Sequence, residues 1–167
     1  MSEQPAIVER AEQPYFAIKG VVTMQTIGAI ADRLPEVFGW LHARGLQPAG
    51  APFLKYNLIQ MEQQLEIEAG VPVVRTQEQG DDTVMLGVLP AGQYAMVTHV
   101  GHPSGLMNAT AALLDWAAEQ GLAWDVSETP DGERWGCRLE VYRTDPNVEP
   151  DMGKWETQLA FRLSDVA

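Results

Sequence analysis

The sequence predicts an α+β domain built as a tandem duplication: two strand–helix–strand–strand units with antiparallel sheets around a central cleft. Three observations carry that prediction. Residues 26–44 and 106–120 each hold an apolar stripe at helical spacing. The stripes end in FGWLHARGLQ (38–47) and LDWAAEQGLA (114–123), which align without gaps and pair Trp40 with Trp116, Gly45 with Gly121 and Leu46 with Leu122. One strand-like segment precedes each helix and two follow it. The repeats fall at about 13–75 and 82–167 within one domain spanning 1–167.

Each element has its own signal. The first dozen residues lack a clear period and are expected to be loose. YFAIKGVV (15–22) reads as a strand. The first helix places Ile27, Ile30, Ala31, Leu34, Val37, Phe38 and Leu41 on one face, and Pro35 is expected to kink or split it. PFLKYNLI (52–59) and QQLEIEAGVPV (63–73) follow as strands. VLPAG (88–92) and VTHVGHPSG (97–105) read as turns around the crossing between halves, with the strand YAMVTHV (94–100) between them. The second helix aligns Leu106, Ala109, Leu113, Trp116 and Ala117, with Ser104 as N-cap and Gly121 as stop. DVSETPDGER (125–134) reads as a surface loop, and GCRLEVYR (136–143) and ETQLAFRL (156–163) as the closing strands. A helix with a hairpin covers one sheet face and leaves the other open, so the two open faces are expected to line the cleft. Such a junction is a usual place for a small-molecule site.

Composition narrows the function classes. The chain has 167 residues, 46% hydrophobic and 20% charged, which suits a packed core rather than a disordered segment. Its net charge of −12 disfavours direct nucleic-acid binding, while leaving cationic ligands and basic protein partners open. No apolar run approaches the roughly 20 residues of a membrane helix. MSEQPAIVERAEQP lacks the basic start and apolar core of a signal peptide. The lone Cys137 cannot form an internal disulfide, so a cytoplasmic location is expected. His42, His99 and His102 come without a cysteine cluster or paired helical histidines, so neither a metal nor a cofactor is expected.

WGCRLEVYRTDP (135–146) contains the most informative residue. Alternation puts Trp135, Cys137, Leu139 and Val141 on one face and Arg138, Glu140 and Tyr142 on the other. A carboxylate thus stands mid-strand between an arginine and a tyrosine. On an outer strand it is solvated; on a central strand it needs a partner.

Three stretches carry a resemblance. LEIEAGVPV, LPAGQYAMVTHVGHPSGL and LEVYRTDP, in this order and spacing, are similar to those of the gyrase-inhibitor-like (GyrI-like) small-molecule-binding family. The likeness runs from about Tyr15 to the C-terminus. It implies a tandem of two such units around a cleft, and bulky, often aromatic and cationic ligands met by a cleft glutamate, which matches Glu140. It also implies two alternatives: hydrolysis of strained cyclopropane-type compounds by the same carboxylate, or protection of DNA gyrase as a protein partner. No second domain or helix-turn-helix module precedes the repeat, so a whole transcription regulator is not expected.

The candidate residues follow. From its residues alone, Glu140 reads as an exposed strand position paired with Arg138 or a cross-strand cation; the resemblance reverses that. A poorly solvated carboxyl there is expected to have a raised pKa, suiting both cation binding and acid–base work. Tyr142 shares its face, and the internal repeat matches Tyr56 to Tyr142 and Leu54 to Glu140. A one-residue slip would turn Tyr56 to the helix side. Trp135, Trp155, Tyr94 and Phe16 are candidate aromatic walls. Trp40 and Trp116 read as core, Cys137 as a small core residue, and Glu62, Glu66 and Glu68 as solvating residues of a half-exposed strand. Glu140 and Tyr142 are catalytic only in the enzyme reading. Binding, hydrolysis and partnership with a protein such as gyrase stay open.

Overall fold

The computed structural model describes residues 4–60 and 64–165. Glu62 lies outside the described residues. In chain order the elements are β1 (Ala6–Arg10), β2 (Gln13–Val22), α1 (Gly28–Ala31), α2 (Leu34–Ala43), β3 (Phe53–Gln60), β4 (Gln64–Pro72), β5 (Met85–Leu89) and β6 (Gly92–Val100). Then come α3 (Leu106–Glu119), β7 (Val126–Thr129), β8 (Gly132–Trp135), β9 (Arg138–Tyr142) and β10 (Glu156–Arg162). The strands form one antiparallel sheet in the order β1-β6-β10-β9-β3-β4-β2-β5, with the β7–β8 hairpin added to β3. This is a sheet-dominated α+β fold.

The centre of the sheet is the β3–β9 pair, in register Phe53–Val141, Leu54–Glu140 and Lys55–Leu139. Helices α1 and α2 lie over β2 and β4, and α3 lies over β6. Among the described residues no helix packs closely over the central β3–β9 pair. A main core fills the space between helices and sheet, including Phe16, Ile18, Val37, Leu41, Leu113, Leu159 and Phe161. A second apolar cluster, with Tyr15, Phe53, Tyr94, Cys137 and Leu139, packs on the opposite face.

The expected split at Pro35 occurs: α1 ends at Ala31, and Pro35 occupies the first turn of α2, where its missing N–H costs no hydrogen bond. Both long helices stop at a glycine in the left-handed region, Gly45 (φ 68°) and Gly121 (φ 70°). The terminal hydrogen bonds match as well: Leu46 N–H to Leu41 O at 3.0 Å, and Leu122 N–H to Ala117 O at 2.9 Å.

Four expectations are corrected. Within the N-terminal stretch, Ala6–Arg10 is a strand rather than loose chain, pairing with β6 in register Ala6–Met96 to Arg10–Gly92, while residues 1–3 lie outside the described residues. Residues 125–134 are not a surface loop, since they form β7 and most of β8. Ser104 does not cap α3: it sits in a 3₁₀ turn whose cap is His102, and Gly105 precedes the helix. Val88 and Leu89 belong to β5 rather than to a turn.

Candidate functional site

The gap between helices exposes the centre of the sheet, and a cavity of about 440 Å³ fills it. Its floor is Leu54 and Tyr56 of β3, Arg138, Glu140 and Tyr142 of β9, and Phe161 of β10. One wall is Met24 with Ile27, Gly28 and Ala31 from the start of α1. The other is Pro103, Leu106, Met107 and Thr110 at the start of α3. A second cavity, about 940 Å³, lies beside it and shares Ala31 and Tyr142 with the first; Phe38, Trp155 and Arg143 line its far side.

Glu140 faces the helices, not an open face on the far side of the sheet. Its cross-strand neighbours Leu54 and Leu159 both belong to the helix-side core, which fixes its direction. The expected cleft between two open faces is therefore replaced by one between helices, and Tyr56 lies on the helix side together with Glu140.

The Tyr142 phenol donates to Glu140 Oε1 at 2.9 Å. Among the described residues Glu140 forms no ion pair. It is half-buried by surface, because cavity space touches it, yet protein surrounds it on the other sides. Burial pushes its carboxyl up from the ordinary carboxylate range; hydrogen bonds from Tyr142 and Tyr56 and the nearby Arg138 guanidinium oppose that without cancelling it. Burial and the adjacent carboxylate push both phenols up in turn, so Tyr56 and Tyr142 remain protonated donors at neutral pH.

A raised pKa in the fold means that the folded protein holds this proton to higher pH than the unfolded chain does. The associated stability is fully present below the unfolded value and is lost as pH rises through the folded one. At neutral pH an ionised Glu140 costs stability, a cost a ligand's positive charge can offset.

Arg138, two residues before Glu140 on the same strand face, lies against three rings. Its guanidinium carbon is 4.5 Å from the Phe161 ring centre, 4.7 Å from Trp135 and 6.0 Å from Tyr56.

The remaining candidates separate. Leu54 lines the floor beside Glu140. Trp135 does not share a face with Cys137 and Leu139: it joins the helix-side core against Trp124 and Phe161 and meets the cleft through Arg138. Trp155 lines the second cavity, held by its indole N–H donating to Glu149 O at 2.7 Å. Tyr94 is on the far face, its hydroxyl donating to Pro90 O at 2.7 Å, and so is not a wall of the cleft. Phe16 is fully buried beneath Trp40, with ring centres 4.7 Å apart, and is core rather than wall. Sequence reasoning missed the walls from α1 and α3, along with Arg138 and Phe161. Strand alternation already put Arg138 beside Glu140; nothing comparable marked the helical walls.

Among the described residues there is no group of three or more His, Cys, Asp and Glu side chains that could hold a metal ion. No helix among them is long and apolar enough to cross a membrane.

The fold has solved counterparts. The EcmrR C-terminal domain superposes with a TM-score of 0.75 at 18% identity, covering 98% of each chain. The EcmrR chain in a complex with DNA gives 0.77 at 19% identity, and this chain spans 58% of its length. SAV2435 bound to tetraphenylphosphonium gives 0.68 at 9% identity over 98% of this chain and 96% of that one. A hydrolase from Listeria innocua gives 0.59 at 12% identity over 96% and 92%. At such identities the likeness establishes the fold. No curated protein matches the chain by sequence. The GyrI-like small molecule binding domain model, by contrast, matches residues 3–163, nearly the whole chain, and the protein therefore belongs to the GyrI-like small-molecule-binding family.

Proposed function

We propose that the cleft between α1 and α3 binds hydrophobic, aromatic small molecules bearing a positive charge, with Glu140 as counter-charge. The observation that carries this is a carboxylate that, among the described residues, has no ion pair and accepts from the Tyr142 phenol at the floor of a largely apolar cavity. Tetraphenylphosphonium, the ligand of SAV2435, is a compound of that kind.

Glu140→Gln tests it by calorimetry. The affinity of tetraphenylphosphonium, which has no hydrogen-bond donor, is expected to fall by about 1.5–3 kcal/mol, the Coulomb attraction of unit charges roughly 6 Å apart at an effective dielectric of about 20–40. An uncharged analogue such as tetraphenylmethane derivatised for solubility should bind unchanged or better, since no carboxylate is desolvated. The same variant should melt higher than the parent at neutral pH and lose that advantage on acidification. Equal, small effects on both ligands would reject the counter-charge role.

A second reading is favoured by the raised carboxyl beside two phenols: general acid–base hydrolysis of a strained, cyclopropane-type compound, with Glu140 transferring the proton and Tyr142 positioning it. There Glu140→Gln abolishes turnover while binding survives.

We also infer that the two halves, about 13–75 and 82–167, are copies of one unit. The matched helix ends at Gly45 and Gly121 support it, as does the equivalence of the isolated bridges Pro48–Val73 and Trp124–Leu163. Gly45→Ala and Gly121→Ala should each cost about 1–2 kcal/mol, the left-handed penalty, and should add. Clearly unequal penalties in urea unfolding would count against equivalent ends.

A further inference from the structure

Arg138 is a charged group that, among the described residues, has ring contacts but no hydrogen-bonded or ion-paired partner. Among the described residues its guanidinium donates no hydrogen bond, although it carries five N–H donors. None of its nitrogens is sealed away, because Arg10 Nη1 is the one buried side-chain nitrogen or oxygen left without a partner there. Arg138 lines the cavity, so its unused donors are open to cavity space. Phe161, Trp135 and Tyr56 flank the guanidinium, and these ring contacts engage none of its donors in a conventional N–H···O hydrogen bond.

Glu140 and Arg138 point the same way from one strand, about 7 Å apart along the backbone. Together they give the cleft one negative and one positive group, each without an ion pair among the described residues. A purely cationic ligand satisfies the first and leaves the second facing its charge. Resting on the cation-binding reading above, we propose that the ligands this cleft prefers are amphoteric: flat aromatic molecules with a cationic group for Glu140 and a carboxylate or similar acceptor for Arg138. Arg138 then sets specificity, accepting bipolar ligands and penalising lipophilic cations of equal size. The bidentate match between guanidinium and carboxylate makes the carboxylate the best acceptor.

Tetramethylrhodamine and its methyl ester isolate the effect, since they share one aromatic cation and differ in whether the pendant carboxyl is charged. In anisotropy titrations at neutral pH, the full chain should bind the free acid at least tenfold more tightly than the ester. Arg138→Met should bring that ratio to one or below, by weakening the acid and leaving the ester unchanged or tighter. Arg138→Lys, which keeps the charge but not the fork, should fall between. Glu140→Gln should weaken both dyes. If the parent binds both dyes equally, or the ester better, while Glu140→Gln weakens both, the amphoteric preference is overturned and the cation reading stands. If the tenfold preference holds and vanishes in Arg138→Met, but Glu140→Gln changes nothing, the role of Arg138 stands and the counter-charge role of Glu140 falls. Binding of neither dye overturns both. The preference is read on the parent protein, so poor folding of a variant does not remove the test.

Discussion

Glu68→Leu is expected to destabilise the protein by about 3–5 kcal/mol, the cost of stranding a buried charge. On the sheet face away from the helices, Glu68 Oε1 accepts from the Tyr15 hydroxyl at 2.7 Å, and Oε2 from Asn57 Nδ2 at 2.6 Å. Lys55 Nζ lies 3.5 Å from the same Oε2 and donates to Asn57 Oδ1 at 2.5 Å. Lys55 and Asn57 are only 9% and 8% exposed, so water cannot replace a lost partner. Removing the carboxylate leaves an ammonium, an amide and a phenol short of an acceptor. Adding Lys55→Met should recover a large part of the loss, because no charge then remains buried. Urea unfolding of both variants and the parent measures this. A loss below about 1 kcal/mol for Glu68→Leu would place the cluster among solvated surface pairs.

That network also marks where sequence and structure part. Glu66 and Glu68 alternate with Leu65 and Ile67, and alternation alone reads both glutamates as solvated. Glu66 keeps part of that solvation, with 23% of its side chain open and the exposed Arg134 3.8 Å away. Glu68 does not, because residues distant in sequence cover it, and no local period records them. The helices and inner strands were legible because their periods, and the glycines at 45 and 121, are local properties. The edge strands were not. β1 precedes β2 yet pairs with β6, and β5 precedes β6 yet pairs with β2, so their partners are set by the whole sheet.

Strand alternation correctly grouped Arg138, Glu140 and Tyr142, but it cannot say which face the helices cover. Hence the cleft was expected on the wrong side, and the walls from α1 and α3 went unseen. Trp135 was misassigned for a nearby reason. The chain leaves regular strand geometry at Gly136, where a β-carbon would collide with the Asp125 carboxylate, and the period of two restarts at Arg138.

Phe161→Ala is expected to lower stability by about 3–5 kcal/mol and to disable the cleft, because this one ring serves both. It is 1% exposed and packs edgewise on Trp124 and Trp135, with ring centres 5.8 Å away in each case. Its other surface lines the cleft and carries the Arg138 guanidinium at 4.5 Å. Phe161→Leu separates the two roles. It keeps most of the apolar volume, so packing should cost less than about 1.5 kcal/mol. It also removes a cation–π contact of about 0.5–2 kcal/mol. Freed from that ring, Arg138 can turn toward Glu140, two residues along the same strand, and neutralise it. Affinity for tetraphenylphosphonium should then fall in both variants, although Phe161→Leu stays folded. Unfolding curves and calorimetry on the same samples decide the matter. A folded Phe161→Leu protein with undiminished affinity would reduce Phe161 to a packing residue, and Arg138 would keep its distance from Glu140 for some other reason than the ring beneath it.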